Sequence, residues 1–448
     1  YQNRPRLFDL EIKRPKLLHE RVLEIDERID AKGQVLVPMN ESLAKAGMQL
    51  AFDEGIRSVA ILLMHGYRYT EHERQLKLMA HDIGFEQVSV SHEVSPLMKL
   101  VGRGDTTVLD AYLSPVLRRY VDQIAAELKG TRVMFMQSNG GLTDANNFRG
   151  KDAVLSGPAG GVVGMVRTAE AAGLEKLIGF DMGGTSSDIS LIVDGEVTLS
   201  ADRSVAEEKI ALSSLDIVTL GAGGGSIAWV NAGGLLEVGP HSAGAIPGPA
   251  CYGRGGPAAV TDANVVLGRI QPDWFPQVFG PNHDGPLDVD AARTALGKLA
   301  DKMGLDSPEA AAEGFLSVAI EAMADAIKQI STAQGVDPRG YALNAFGGAG
   351  GQHACKVAEA LGMRTALIHP KAGLLSAYGI GLAPLRDTRQ AGLEIVFDDE
   401  GLATAQQVLA QLEDEALASL KAQHARDIKV SREVRIRVQG SDTALPVA

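Results

Sequence analysis

The chain has 448 residues, of which 45% are hydrophobic and 22% charged, and a formal net charge of −13. That length allows two to four domains with sizeable cores. The acidic balance, without a basic block or stripe, argues against a nucleic-acid surface, and no apolar run is long enough to cross a bilayer, so neither nucleic acid nor membrane is expected as a partner.

The chain begins Tyr1-Gln2-Asn3-Arg4-Pro5, with neither an initiator Met nor a signal peptide, as expected for a piece of a longer protein. Residues 41–54 place Leu43, Ala46, Leu50 and Ala51 on one helical face. Ser58 to Met64 is a continuous apolar strand of the kind a covered sheet requires. Thr70 with Glu73 spells a capping box for a helix over about 71–82, and a strand follows at Gln87 to Ser91. Residues 106–128 form a long amphipathic helix, broken or bent near Pro115, Val133 to Gln137 a strand, and Ser156 opens a helix to about Ala172. His65, at the end of the first strand, could face a ligand but reads more simply as a core histidine.

Leu177, Ile178 and Phe180 then lead into Asp181-Met182-Gly183-Gly184-Thr185-Ser186-Ser187-Asp188, and an alternating strand, Ile189 to Val193, leaves it. The pattern predicts a glycine bend carried on a hairpin, with an acid at each end and hydroxyls between. Paired glycines let main-chain N–H groups approach an anion, and carboxylates suit Mg²⁺. No Gly-Lys-Ser/Thr follows and no helix starts there, so this is neither a Walker loop nor a dinucleotide fingerprint. The expected roles are Gly183, Gly184, Thr185 and Ser186 at phosphate oxygens, and Asp181 and Asp188 as ligands of Mg²⁺ and as catalytic groups. Asp194-Gly195 predicts a turn into a third strand, Glu196 to Ser200.

Asp216 precedes Ile217 to Leu220, which run into Gly223-Gly224-Gly225-Ser226, a further candidate nucleotide loop. Asp262, in Val260-Thr261-Asp262-Ala263-Asn264, is either a helix cap or a third catalytic acid. Cys251 reads as a small buried residue rather than a nucleophile. Ser307-Pro308-Glu309 starts a helix that Gly335 stops. Ala342 to Phe346 is a strand, and Gly347-Gly348-Ala349-Gly350-Gly351 opens a helix over 352–361, whose N-terminus favours anions. Gly347, Gly348, Gly350 and Gly351 are therefore nucleotide candidates, and His353 is a solvated surface residue or, less simply, a catalytic one. Thr365 to Ile368 is a strand. The tail is a helix over 402–422 and a strand, Val434 to Val438. Two cysteines, Cys251 and Cys355, point to a reducing, cytoplasmic compartment. The histidines share no metal-ligand spacing.

An acidic hairpin loop followed far downstream by strand, Gly-Gly-x-Gly-Gly and helix resembles the actin-like ATPase superfamily. Asp181 to Asp188, Gly223 to Ser226, Ser242 to Ala245, Pro247 to Tyr252, Val260 to Asn264 and Phe346 to Ala354 resemble its hydantoinase/oxoprolinase family. Val94 to Gly104, Gln271 to Pro276 and Gly440 to Leu445 look like the oxoprolinase branch, whereas Ala206 to Val218 fits that branch poorly. The resemblance implies an α/β, actin-like ATPase (ribonuclease H-like) fold with an interdomain nucleotide cleft, divided at 1–95, 96–395 and 396–448. Its first phosphate-loop segment would lie upstream of Tyr1. It implies ATP and Mg²⁺, a small cyclic-amide substrate such as 5-oxoproline, and a hydantoinase B-type second half or subunit in a homo-oligomer. The reaction implied is phosphorylation of the amide oxygen, then ring opening to glutamate. An N-methylhydantoinase or acetone-type carboxylase subunit and a non-catalytic ATP-binding scaffold stay open. The two glycine bends are expected to close on a triphosphate as opposing jaws.

Overall fold

The computed structural model describes residues 10–11, 16–197, 199–200, 203–205, 208–210, 214–441 and 444–447. These form two compact units. One comprises Tyr1–Ser156, Ser200–Ser214 and Pro384–Ala448, the other Gly157–Leu199 and Leu215–Ala383.

In the first unit, strands Ser58–Ile61 and Gln87–Val90 pair in parallel, with the helix Glu71–Ile83 as their crossover. Helix Glu41–Asp53 packs on the same core through Ala44 and Met48, against Leu76, Ala80 and Val90. The first strand ends at Ile61 and not at Met64, because the next residues are bonded elsewhere. Leu63 N–H donates to the Glu73 carboxylate at 2.8 Å, and the carbonyls of Leu63 and Met64 accept from Arg103. This also corrects the capping box. Thr70 stands at the helix start but makes no side-chain cap bond, and Glu73 is buried among Leu63, Ser91 and His92. Helix Leu100–Glu127 begins a turn and a half earlier than expected and carries Pro115 inside it. The tail helix spans Asp399–Ala422, capped by Asp398, and Val434–Arg437 pairs antiparallel with Ala444–Val447. Asp442 and Thr443 of the oxoprolinase-like tail motif lie outside the described residues, as do 206–207 and 211–213 of the poorly fitting segment.

The second unit is built on one sheet. Its principal strands are β1 (Leu177–Met182), β2 (Ser187–Val193), β3 (Ile217–Leu220), β4 (Ala342–Phe346) and β5 (Thr365–Leu367), in the spatial order β3-β2-β1-β4-β5. β1 and β2 form the expected hairpin, and β1, β4 and β5 run parallel. Asp194 and Gly195 both take positive φ (52° and 78°), as a primed hairpin turn requires, and Glu196–Val197 pairs briefly with β2. Residue 198 lies outside the described residues. The long second neighbour of β2 is β3, which replaces the expected Glu196–Ser200 strand in that role. Leu343 and Ala345 of β4 face a core shared with helices Val260–Val266, Val289–Met303 and Pro308–Ile330. On the alternate face, Phe346 approaches Gly161 of helix Ser156–Ala171.

The glycine run after β4 departs from expectation. Gly347–Gly350 is a single helical turn, and a separate short helix spans Ala354–Ala360. The glycine run therefore does not open one continuous helix with a single dipole.

Candidate functional site

β1 and β2 pair so that Asp181 stands directly opposite Asp188, and β3 places Thr219 opposite Asp188 on the other side. Side chains opposite one another in a sheet share a face, so Thr219, Asp188 and Asp181 form one row across three strands. The Thr219 hydroxyl donates to Asp188 Oδ1 at 2.5 Å. The bend joining the two acids is tight. Gly183 N–H donates to Ser186 O at 3.0 Å, so Gly183 closes the bend, and Gly184 and Thr185 are its exposed tip.

Phe346, the last residue of β4, pairs in parallel register with Asp181. Gly347 therefore leaves its strand beside the acid row. Its φ is +81°, and a Cβ there would sit 2.4 Å from both Asp181 Oδ1 and Met182 O. Only glycine satisfies both constraints. Gly348 and Gly351 are exposed with open space where a side chain would be, while Gly350 is buried against β1. The two glycine bends are thus neighbours at the same end of adjacent parallel strands, side by side, and not opposing jaws.

Gly223, Gly224 and Gly225 lie under the hairpin bend. Gly224 and Gly225 donate N–H to the carbonyls of Gly183 and Gly184, at 3.1 and 2.6 Å. A Cβ on Gly223 would lie 2.6 Å from Gly184 C and Thr185 N, one on Gly225 2.9 Å from Gly184 O, and one on Gly224 2.8 Å from Thr261 Oγ1. Close packing explains all three glycines, so this loop supports the bend from below.

Asp262 is fully buried, and its two oxygens accept N–H from Ala250, Cys251 and Ala259 at 2.7–3.0 Å. The cap reading fits: Asp262 ties the 249–259 loop to its helix, and no carboxylate face is open for the catalytic role expected of it. Burial pushes the Cys251 thiol far up, which keeps it inert as expected.

The acid row is electrostatically uncompensated. Burial first, and then the facing Asp188, raise the Asp181 carboxyl to about 6, against a hydrogen bond from Ser376. Asp188 is raised by burial, with the Thr219 hydroxyl opposing. Like charges opposite one another in a sheet are unfavourable. A divalent cation relieves that repulsion, and Mg²⁺ needs only one or two carboxylates when phosphate oxygens complete its shell. The residues therefore fit the expected ion. Among the described residues no group of three or more acids, histidines or cysteines could hold a metal.

His353 is fully buried, 3.3 Å from Asn264 through its Nε2, so the surface reading fails. Burial lowers its pKa to about 4. His65 lies in the other unit with its ring centre 6.4 Å from that of Tyr67, and Asp216 is half-buried immediately before β3. Thr219 and Ser376 were missed. The alternation of β3 could have pointed to Thr219, but nothing local ties residue 376 to residue 181.

The family model for Hydantoinase/oxoprolinase matches residues 103–389, and that for the Hydantoinase/oxoprolinase N-terminal region matches 1–84. "5-Oxoprolinase 1" of Arabidopsis thaliana is 41% identical over all of this chain, which spans 38% of that relative's length. Among solved structures, the ATP-dependent caprolactamase of Pseudomonas jessenii is 34% identical with a TM-score of 0.81, covering 94% of this chain and 62% of its own. Nucleotide-free acetone carboxylase is 25% identical with a TM-score of 0.73, over the same shares. The chain belongs to the hydantoinase/oxoprolinase family.

Proposed function

We propose that the chain is the nucleotide-handling part of an ATP-dependent cyclic-amide hydrolase with an actin-like ATPase (ribonuclease H-like) fold, and that 5-oxoproline, opened to glutamate, is its substrate. One observation carries the reading: the Asp181–Asp188 pair stands uncompensated beneath an exposed Gly184-Thr185 tip and beside Gly347. The family and the 5-oxoprolinase relative support the reaction class.

A lactam is a poor electrophile because amide resonance stabilises it. Transfer of the terminal phosphoryl group of ATP to the amide oxygen turns that oxygen into a leaving group. ADP leaves; water then adds at the carbon, the ring C–N bond breaks to free the amine and leave an acyl phosphate, and a second water hydrolyses that acyl phosphate to the carboxylate and phosphate. The Gly184 and Thr185 main-chain N–H groups serve as donors to phosphate oxygens. Asp181 and Asp188 would hold Mg²⁺, which when bound would neutralise charge on the transferring phosphate. Gly347, lacking a Cβ, lets its main chain pass close beside Asp181. The parts of the longer relatives outside this chain are assigned the completion of ring opening. The likeness to acetone carboxylase favours a carboxylase subunit as the second reading, with the same phosphorylation step.

The test is Asp188→Ala in the full-length protein, assayed with 5-oxoproline, hydantoins and ketones. The reading requires lactam-dependent ATP hydrolysis that this change abolishes while nucleotide affinity stays within about threefold. Ketone-dependent turnover selects the carboxylase. Unchanged turnover with every substrate removes the catalytic assignment.

A further inference from the structure

Asn264 and His353 are both fully buried, yet they come from segments 89 residues apart. The Asn264 amide nitrogen donates to Val260 O at 3.2 Å, which fixes its orientation, because a carbonyl only accepts. Its second hydrogen then points at His353 Nε2, 3.3 Å away, so Nε2 is the acceptor and the ring is neutral with its proton on Nδ1. His353 Nδ1 and Asn264 Oδ1 have no partner. A protonated ring would set N–H against N–H at this contact.

The contact joins two segments of the candidate site. His353 lies two residues after the Gly347–Gly351 run and donates its N–H to Gly350 O at 3.2 Å. Asn264 lies on the helix Val260–Val266, whose Thr261 gives both its N–H and its hydroxyl to Gly224 O at 2.8 Å. Gly224 in turn donates to Gly183 O in the hairpin bend. We propose that neutral His353 is a positioning residue, which sets the spacing between the Gly347 segment and the hairpin bend through Asn264, Thr261 and Gly224. Its functional consequence rests on the nucleotide reading above; its structural consequence does not.

The test uses the full-length protein with His353→Leu, His353→Gln and Thr261→Val. Leucine fills the space without an acceptor; glutamine keeps one at similar reach. Thr261→Val weakens the relay at a less buried position, removing the hydroxyl bond to Gly224 O and keeping the N–H bond, should His353→Leu fail to fold. Hydrogen exchange is read at Gly183–Thr185 and Gly224, together with the ATP dissociation constant and kcat. The proposal expects His353→Leu and Thr261→Val to speed exchange at those remote amides at least tenfold and to weaken ATP five- to tenfold. It expects kcat to move less than twofold and His353→Gln to restore both readouts. Faster exchange confined to residues 354–360, with the bend unchanged, overturns it. Wild-type protein that fails to bind ATP while the exchange pattern holds would remove the nucleotide reading and leave the relay standing.

Discussion

Each unit carries buried charge beside a loop that leaves the carboxyl end of a strand, and the two loops handle that charge in opposite ways. After Ser58–Ile61, Glu73 accepts from Leu63 N–H, the Ser91 hydroxyl and His92, while Arg103 donates to the carbonyls of Leu63, Met64, Leu97 and Met98. Among the described residues there, Arg103 Nε is the one buried side-chain polar atom without a partner. After β1, Asp181 and Asp188 face each other with hydroxyls of Ser376 and Thr219 as their donors. Charge answered by the chain's own main chain fixes a loop. Charge set against like charge calls for a cation from outside.

That contrast breaks most visibly at the acids. Asp181→Asn should reduce turnover of the full-length protein by about 10²–10³-fold, the range for loss of one preorganised electrostatic group, in steady-state assays; a loss under threefold would place the chemistry elsewhere. Arg103→Met should lower stability by about 3 kcal/mol, because four main-chain carbonyls lose a fully buried charged donor. Denaturant unfolding checks this, and nucleotide affinity should not move. Gly347→Ala should cost about 2–3 kcal/mol through positive φ and the 2.4 Å approach to Asp181 and Met182. Gly348→Ala, in open space, should cost under about 1 kcal/mol.

The same acid pair also sets a pH dependence. Asp181 titrates near 6 when folded against 3.8 as the reference. The protonated form is thus the one folding favours, and this stability is lost as pH rises from about 4 through 6. Wild type minus Asp181→Asn should therefore worsen over that range by no more than about 2 kcal/mol in metal-free buffer. Mg²⁺ should recover the loss at pH 7.5 and do little at pH 5. A Mg²⁺ effect equal at both values would break the link between the acid pair and the ion.

The hairpin, its two acids and the strand before Gly347 were legible because each is a local pattern: apolar run, glycine pair, alternation. What escaped was set by pairing across the fold. Glu73 stands where a capping box belongs, but the loop after Ile61 reaches it first. His353 looks like a surface residue in its own segment and is buried by a helix 89 residues away. Gly223 to Gly225 carry a ligand-loop signature, yet contact distances give them a packing reason. Asp262 could have been cap or catalyst by sequence, and only the three N–H groups converging on it decide.

The most direct measurement is a structure of the full-length protein with Mg²⁺ and a non-hydrolysable ATP analogue. The account predicts phosphate oxygens within hydrogen-bond distance of the Gly184 or Thr185 main-chain N–H groups, with Mg²⁺ held, directly or through water, by Asp181 and Asp188. A triphosphate bound away from the hairpin tip, with both acids still facing each other and no ion between them, would contradict it.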